Sequence, residues 1–286
     1  MFDVSFRTGS RVRKLAGLGG FLSGFAALAL ATGCRCDAPP TGGAHRPAPD
    51  ASAAPAASRT LPPLEASNWL EQIPVDGFGP ASVSVPLGAT TPRPIVIALH
   101  GKGDRPEWQC GSFRGIAGEH VFVLCPRGAP VRVAGEERFT FASFEQVERE
   151  TRAALRALKE RYGAHVAGGP VVLAGFSLGA EHAALLQRQE PSFFAHLVLV
   201  EGGSKSWSST QARLFSERGG RRVLFVCGQP SCVALARRQV LFTQRAGGEA
   251  KLLDAGNLGH VLDGRMVRAI RAEWDWLVAG DARFQR

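Results

Sequence analysis

Residues 171–185, VVLAGFSLGAEHAAL, decide the fold prediction. An apolar run rich in valine is followed at once by an alanine-rich run of good helix formers. The junction spells G-x-S-x-G, from Gly175 to Gly179. This context predicts a sharp strand-to-helix turn that exposes the hydroxyl of Ser177. Ser177 is therefore a candidate nucleophile, and the alternative is a serine that only occupies a tight turn.

The same alternation of short apolar runs and longer helical patterns continues on both sides of this stretch. It predicts an α/β fold with a mostly parallel sheet and crossover helices, in one domain over residues 64–286. The segment between Val200 and Val223 is too short to hold a large lid domain. Predicted strands cover residues 81–87, 94–99, 121–124, 171–174, 197–200, 223–227 and 251–254, and helical stretches include 144–162, 178–189, 232–246 and 263–278.

Two of the predicted strands, PIVIAL and GPVVLA, are apolar at every position after the first one or two. A strand that is buried on one face alternates apolar and polar residues, so these strands are predicted to have helices on both faces. Ligands of such open sheets bind beyond the carboxyl ends of the strands. The residues at those ends are therefore the candidates for a functional site.

A serine nucleophile needs a base. When the serine lies at a strand-to-helix turn of a parallel α/β sheet, the usual order along the chain is serine, acid and then histidine. His260 lies in DAGNLGH, between the last predicted strand and the C-terminal helix. Of the other histidines, His100 alone follows a predicted strand. We predict His260 as the base, and its alternative role is in packing or capping the loop.

His100 begins a second cluster, LHGKGD, directly after the strand PIVIA. A loop flanked by glycines can turn a backbone N–H toward the site, and an oxyanion needs two such donors. We assign these donors to Lys102 and Leu178. The alternative for the first loop is a plain turn after a strand.

Four motifs, LHGKGDRPEW, VLCPRGAP, LAGFSLGA and GNLGH, occur in this order between Arg93 and Leu277. Together they resemble the α/β-hydrolase superfamily, and most closely its carboxylesterase/phospholipase branch, which includes acyl-protein thioesterases. The resemblance implies Ser177 as nucleophile, His260 as base and the backbone of Lys102 and Leu178 as oxyanion donors.

The catalytic acid departs from that pattern. The family places an aspartate after the penultimate strand in a G-x-x-D stretch, where this chain has CGQPSC with Ser231 at the acid's place. Glu201, at the end of the strand LVLV, is the first substitute and is our prediction. Asp254 before His260 is the second, and a missing acid is the third possibility. Without an acid partner the histidine loses its correct tautomer and orientation.

The amino-terminal part of the chain carries export signals. Basic residues precede an uncharged apolar stretch, which is the layout of a signal peptide over residues 1–33. It ends in LATGC, which resembles the lipobox of bacterial lipoproteins and makes Cys34 the predicted lipidation site. Simple secretion and an uncleaved membrane anchor are the alternatives. Residues 34–63, rich in Ala and Pro, are predicted to be a disordered tether.

Composition excludes several other kinds of protein. The net charge of +9 comes partly from the signal, and the remaining basic residues are scattered without interleaved aromatics, which argues against nucleic-acid binding. Six cysteines suit an oxidising compartment. Cys110, Cys125, Cys227 and Cys232 allow three pairings, of which the two local ones are the simplest. The absence of C-x-x-C argues against a zinc site, so no metal is predicted.

The sequence therefore predicts an exported, lipid-anchored serine hydrolase at a bacterial membrane or in the periplasm. It would act on small-molecule or acyl esters or thioesters through an acyl-enzyme and need no cofactor. A degenerate hydrolase scaffold that serves as a binding or structural module is the alternative, favoured by the missing aspartate. A peptidase or amidase on the same scaffold also fits the sequence.

Overall fold

The computed structural model describes residues 60–285. The predicted signal, Cys34 and nearly all of the predicted tether lie outside the described residues. The end of the tether segment contacts the domain. The N–H of Leu61 donates to the carbonyl of Thr90 at 2.8 Å, and the carbonyl of Pro62 lies 2.8 Å from Nε2 of His165.

Ten strands and six α-helices make up the described chain. The strands are β1 (Leu70–Ile73), β2 (Ala81–Ser84), β3 (Ile95–Leu99), β4 (Phe122–Cys125), β5 (Ala129–Val133), β6 (Glu136–Thr140), β7 (Val172–Phe176), β8 (His196–Val200), β9 (Arg222–Cys227) and β10 (Glu249–Asp254). The helices are α1 (Pro106–Ala117), α2 (Phe144–Tyr162), α3 (Leu178–Leu186), α4 (Ser209–Glu217), α5 (Pro230–Arg245) and α6 (Gly264–Leu277). Short 3-10 turns cover Gly163–His165 and Ala282–Phe284.

Eight strands form one sheet in the order β1-β2-β4-β3-β7-β8-β9-β10, and β5 and β6 form a separate antiparallel hairpin. Six neighbouring strands run parallel: β4, β3, β7, β8, β9 and β10. At one edge of the sheet, β2 pairs antiparallel with β4 and β1 pairs antiparallel with β2. The predicted α/β fold with a mostly parallel sheet is therefore confirmed. Between β8 and β9 the described chain contains one short helix, α4, and no inserted domain.

Helices cover both faces of the sheet. In β3, Ile95, Ile97 and Leu99 pack into a layer with α2, α3, α4 and α5. Val96 and Ala98, on the opposite face, pack with α1 and α6. All five side chains are at most 2% exposed, which explains why this strand has no polar alternation.

Sequence patterns located most elements but not all. The predicted helix over residues 144–162 matches α2, and Ser143 caps its first turn. The helix predicted from residue 232 begins two residues earlier, at Pro230, because proline fits the first turn of a helix. The hairpin β5–β6 was not predicted, because half of its residues are exposed and half are polar, so it carries little of the apolar pattern of a strand.

Two disulfides connect neighbouring segments. Cys110 in α1 is bonded to Cys125 at the end of β4, and Cys227 at the end of β9 is bonded to Cys232 in α5. These are the two local pairings among the three that the sequence left open. Disulfides persist in oxidising compartments, so this pairing is typical of a protein outside the cytoplasm. Within residues 60–285, no helix has the length and apolar character needed to cross a membrane.

Candidate active site

Ser177 stands at the turn between β7 and α3 in an unusual backbone conformation. Its φ is 53°, in the left-handed region that non-glycine residues rarely adopt. The flanking glycines are required by close backbone approaches. A Cβ at Gly175 would lie 2.3 Å from the carbonyl oxygen of Gly179, and one at Gly179 would lie 2.2 Å from that of Leu99. The G-x-S-x-G motif thus forms the tight turn that its sequence predicts.

His260 lies in the loop between β10 and α6 and reaches Ser177. Its Nε2 is 2.8 Å from the Ser177 Oγ, which is hydrogen-bonding distance for a proton transfer between them. The imidazole packs against the ring of Phe176, with 5.2 Å between ring centroids. The preceding residue, Gly259, donates its N–H to the carbonyl of Gly228 at 2.8 Å. These contacts fix the loop and the orientation of the ring.

Glu201 follows β8 and contacts the other side of the imidazole. Its Oε2 lies 3.2 Å from Nδ1 of His260, and its Oε1 accepts the N–H of Gly228. The carboxylate side chain is 1% exposed, whereas the His260 side chain is 45% exposed. A buried carboxylate needs such partners, and here both of its oxygens have one.

The two other positions considered for the acid do not contact His260. Asp254 is exposed at the end of β10, and its Oδ1 accepts the N–H of Gly256 at 3.0 Å. Ser231 is exposed in the first turn of α5. Among residues 60–285, Glu201 is the carboxylate that hydrogen-bonds to His260.

The predicted oxyanion donors come from two neighbouring turns. Leu178 is the first residue of α3, and the N–H groups of the first turn of a helix have no acceptor within the helix. Lys102 lies in the loop after β3, and its N–H has no backbone acceptor among residues 60–285. A Cβ at Gly101 in this loop would lie 3.5 Å from Cβ of Ser177, which shows how closely the loop approaches the serine.

The β5–β6 hairpin supports this loop. Phe139 exchanges backbone hydrogen bonds with Asp104, and its carbonyl also accepts the N–H of Gly103 at 2.9 Å. His100 is fully buried beneath the loop, with one ring nitrogen 2.8 Å from the carbonyl of Gly101 and the other 2.8 Å from that of Arg127. His100 therefore joins two loops and, unlike His260, forms no hydrogen bond with Ser177.

Two more histidines are buried away from the triad of Ser177, His260 and Glu201. Burial lowers the pKa of His182 on α3, and the nearby Glu181 opposes this effect. Burial, helped by the positive charge of Arg221, lowers the pKa of His196 to about 4. His196 begins β8 and so lies at the opposite end of that strand from Glu201. Neither is placed to act as the base.

A small pocket opens beside the triad. It has a volume of about 270 Å³ and lies between His260, the loop after β8 and the start of α5. Most of its lining residues have polar side chains, including Ser204, Lys205 and Gln229, and Ser177 is not among them. A larger cavity of about 860 Å³, lined in part by Arg93 and Arg114, lies at the amino ends of the strands and does not contain the triad.

One cluster near the triad has the side-chain types of a metal site. A carboxylate oxygen of Glu201 and the sulfurs of Cys227 and Cys232 lie within 4.8 Å of one another. The two sulfurs are bonded to each other, so they offer no thiolate to a metal. Glu201 already accepts two hydrogen bonds, and the cluster therefore does not fit a metal ion in this state.

The solved structures to which this chain is similar share its architecture. The Thermus thermophilus protein TT1662 aligns over 74% of this chain and 98% of its own, with a TM-score of 0.51 and 19% identity. The Staphylococcus aureus fluorophosphonate-binding serine hydrolase FphF aligns over 76% and 99%, with a TM-score of 0.52 and 11% identity. This chain has the α/β-hydrolase fold. Est1E from Butyrivibrio proteoclasticus also has it, with coverages of 74% and 100%, a TM-score of 0.51 and 14% identity.

At these identities the likeness describes the fold alone. Neither the models of known protein families nor the sequences of curated proteins match this chain. In the α/β-hydrolase fold the carboxyl ends of the parallel strands carry the site, and Ser177, His260 and Glu201 lie there together.

Two glycines beside the triad were missed by the sequence analysis. A Cβ at Gly202 would lie 2.4 Å from the carbonyl oxygen of Ser177, and one at Gly228 would lie 2.6 Å from that of Gly259. Each glycine lets one loop of the site approach another. The signal for Gly202 is visible in the sequence, because E-G-G follows a buried strand much as S-L-G does.

Proposed function

We propose that the protein is a serine hydrolase that cleaves carboxylic esters or thioesters through an acyl-enzyme. The observation that carries this proposal is the continuous chain of hydrogen bonds from Ser177 through His260 to Glu201, with donor–acceptor distances of 2.8 and 3.2 Å. Nucleophile, base and orienting acid are the three parts that nucleophilic catalysis by a hydroxyl requires.

In the proposed reaction, Nε2 of His260 takes the Ser177 hydroxyl proton as Oγ attacks the carbonyl carbon of the substrate. The new oxyanion accepts hydrogen bonds from the backbone N–H groups of Lys102 and Leu178. Glu201 holds Nδ1–H of the ring and stabilises the imidazolium. The tetrahedral intermediate then collapses, and the leaving group departs with the proton from Nε2.

Hydrolysis of the acyl-enzyme repeats these steps with water. Nε2 removes a proton from the water as its oxygen attacks the acyl carbon. That proton then passes to Oγ of Ser177 as the bond from Oγ to the acyl carbon breaks and the carboxylic acid leaves. These residues carry the whole cycle without a cofactor. The pocket beside His260 is small, which supports a small or surface-presented ester as substrate.

A second function remains a candidate because of one feature. Ser231 stands where related enzymes carry the acid, which is the change expected in a hydrolase scaffold that has become a binding or structural module. The buried hydrogen bond between Glu201 and His260 supports the enzyme instead, because it supplies a substitute acid.

A fluorophosphonate probe separates these two functions. The purified chain is incubated with the probe beside a Ser177→Ala variant, and the bound probe is located by mass spectrometry. The enzyme is expected to carry the probe on Ser177 and to release p-nitrophenol from short p-nitrophenyl esters. Folded protein that does neither would leave the binding module as the remaining function.

We also propose that the protein is exported and held at a bacterial membrane by a lipid on Cys34. The sequence of the signal supports this location, and the two disulfides support an oxidising compartment. Mass spectrometry of protein extracted from membranes is expected to find diacylglyceryl on Cys34. A Cys34→Ser variant that stays in the membrane fraction would contradict the lipid anchor.

A further inference from the structure

The loop between β9 and α5 supports both partners of the proposed nucleophile. Gly228 lies in this loop and donates its N–H to Oε1 of Glu201. The carbonyl of Gly228 accepts the N–H of Gly259, next to His260, at 2.8 Å. One residue of the main chain therefore links the acid to the base, although the loop supplies no side chain to the triad.

A disulfide closes this same loop. Cys227, immediately before Gly228, is bonded to Cys232 in the first turn of α5, and the two cysteines are only 5 positions apart. Both sulfurs lie within 4.8 Å of a carboxylate oxygen of Glu201. The carbonyl of Cys227 also accepts the N–H of Ala255 at 2.7 Å, which ties the loop to the chain after β10.

We propose that the Cys227–Cys232 disulfide is a positioning element of the active site. By fixing Gly228, it holds Glu201 at the distance from His260 that the reaction needs. The proposal rests on the hydrolase function proposed above. Small displacements of a positioned group cost large factors in rate. A short loop gains less global stability from a cross-link than a long one, so we expect this bridge to affect catalysis beyond its effect on stability.

The second disulfide provides a matched control. The Cys110–Cys125 bridge closes a longer segment, with a sequence separation of 15, and both cysteines are completely buried between α1 and β4. Neither cysteine takes part in the hydrogen bonds of Glu201 or His260 among the described residues. Loss of this bridge is expected to lower the thermal midpoint without a specific effect on the triad.

The test compares Cys227→Ala/Cys232→Ala with Cys110→Ala/Cys125→Ala, each at a temperature where near-ultraviolet circular dichroism shows it folded. We expect the first pair to lower kcat for a p-nitrophenyl ester about 10- to 100-fold at unchanged KM, as the loss of a charged hydrogen bond does. The second pair is expected to keep kcat. The first pair is also expected to lose the downfield proton resonance of the Nδ1–H of His260, identified by its absence from His260→Ala.

A Gly228→Ala variant tests the same link without removing a disulfide. Its Cβ would lie 2.6 Å from the carbonyl oxygen of Gly259, so the histidine loop must move. We expect a lower kcat here as well, which would show that the position of Gly228 matters for the rate. If the alanine pair does not fold, Cys227→Ser/Cys232→Ser replaces it as the variant that lacks the bridge. If the unmodified protein hydrolyses no ester, the proposed function is wrong. If it is active and the folded variant without the Cys227–Cys232 bridge keeps its kcat, the function stands and the positioning role of the disulfide is wrong.

Discussion

Ser177 and Glu201 occupy equivalent positions at the ends of neighbouring parallel strands. The N–H of Ser177 donates to the last carbonyl of β8, Val200, at 2.9 Å, and the N–H of Glu201 donates to Val226 in β9 at 2.8 Å. Both residues have a positive φ, 53° and 51°, and Ala134 in the hairpin turn is the third such non-glycine residue among residues 60–285. Glu201 thus stands in a second strained turn beside that of Ser177, and such strained positions cluster at functional sites.

Glu201→Gln tests the identity of the acid. The amide keeps the shape of the side chain but no longer stabilises an imidazolium, so kcat is expected to fall roughly 10³- to 10⁴-fold. Steady-state kinetics with a p-nitrophenyl ester measures the change. Asp254→Asn is the control and is expected to keep kcat, because Asp254 is exposed and bonds to Gly256 instead. An unchanged rate in Glu201→Gln would reject the assignment.

Glu201→Asp tests whether the side chain at position 201 must be long enough to reach both Gly228 and His260. The carboxylate is retained but withdrawn by one methylene, about 1.5 Å, so it cannot satisfy Gly228 and His260 together. We expect kcat to fall about 10- to 100-fold, less than in Glu201→Gln because the charge remains. A variant with the full activity of the original protein would show that the second hydrogen bond is not needed.

Gly202→Ala tests the close packing of the turn at Ser177 against the turn at Glu201. The new Cβ would lie 2.4 Å from the carbonyl oxygen of Ser177, so one of the two turns must shift. Overpacking of this kind costs about 1–3 kcal/mol of unfolding free energy, and kcat is expected to fall with it. Thermal and urea unfolding measure the first effect. Gly168→Ala is the matched control, because nothing lies within 4 Å of its Cβ, and it is expected to behave as the original protein does.

His196 predicts a dependence of stability on pH. Burial and Arg221 lower its pKa from 6.5 to about 4 in the folded chain; Arg222 acts in the same direction, while Asp281 and the Leu277 backbone oppose it. The unfolded chain therefore binds more protons between these two values, and the unfolding free energy falls as the pH drops through this window. The loss over the whole window is on the order of 3 kcal/mol.

Urea titrations at pH 7, 6, 5 and 4 measure this slope. In His196→Gln the slope between pH 6.5 and 4 is expected to shrink. What remains includes the contribution of buried His182 in the same direction and, toward pH 4, that of Glu150 in the opposite direction, because burial raises the pKa of Glu150. A variant with an unchanged slope would show that His196 does not titrate as a buried neutral base.

The elements that the sequence predicted best are those whose local pattern and packing agree. The strand before Ser177 is apolar throughout because both of its faces are covered, and α2 has a capping serine and a clear amphipathic stripe. The hairpin β5–β6 carries no such pattern. Five residue pairs join its two strands, and Phe139 also pairs with Asp104 in the loop after β3, a long-range contact that local propensity does not record.

The sequence by itself determined the parallel sheet, the nucleophile turn at Ser177 and the candidates for the base and the acid. It did so because strand burial and tight turns restrict residue types locally. It ranked Glu201 before Asp254 but could not exclude the second, since both lie at the end of a strand and both precede His260. Only the tertiary structure decided which carboxylate lies against the imidazole. That choice depends on the order of β8, β9 and β10 in the sheet and on a backbone N–H, that of Gly228, which leaves no side-chain signature in the sequence.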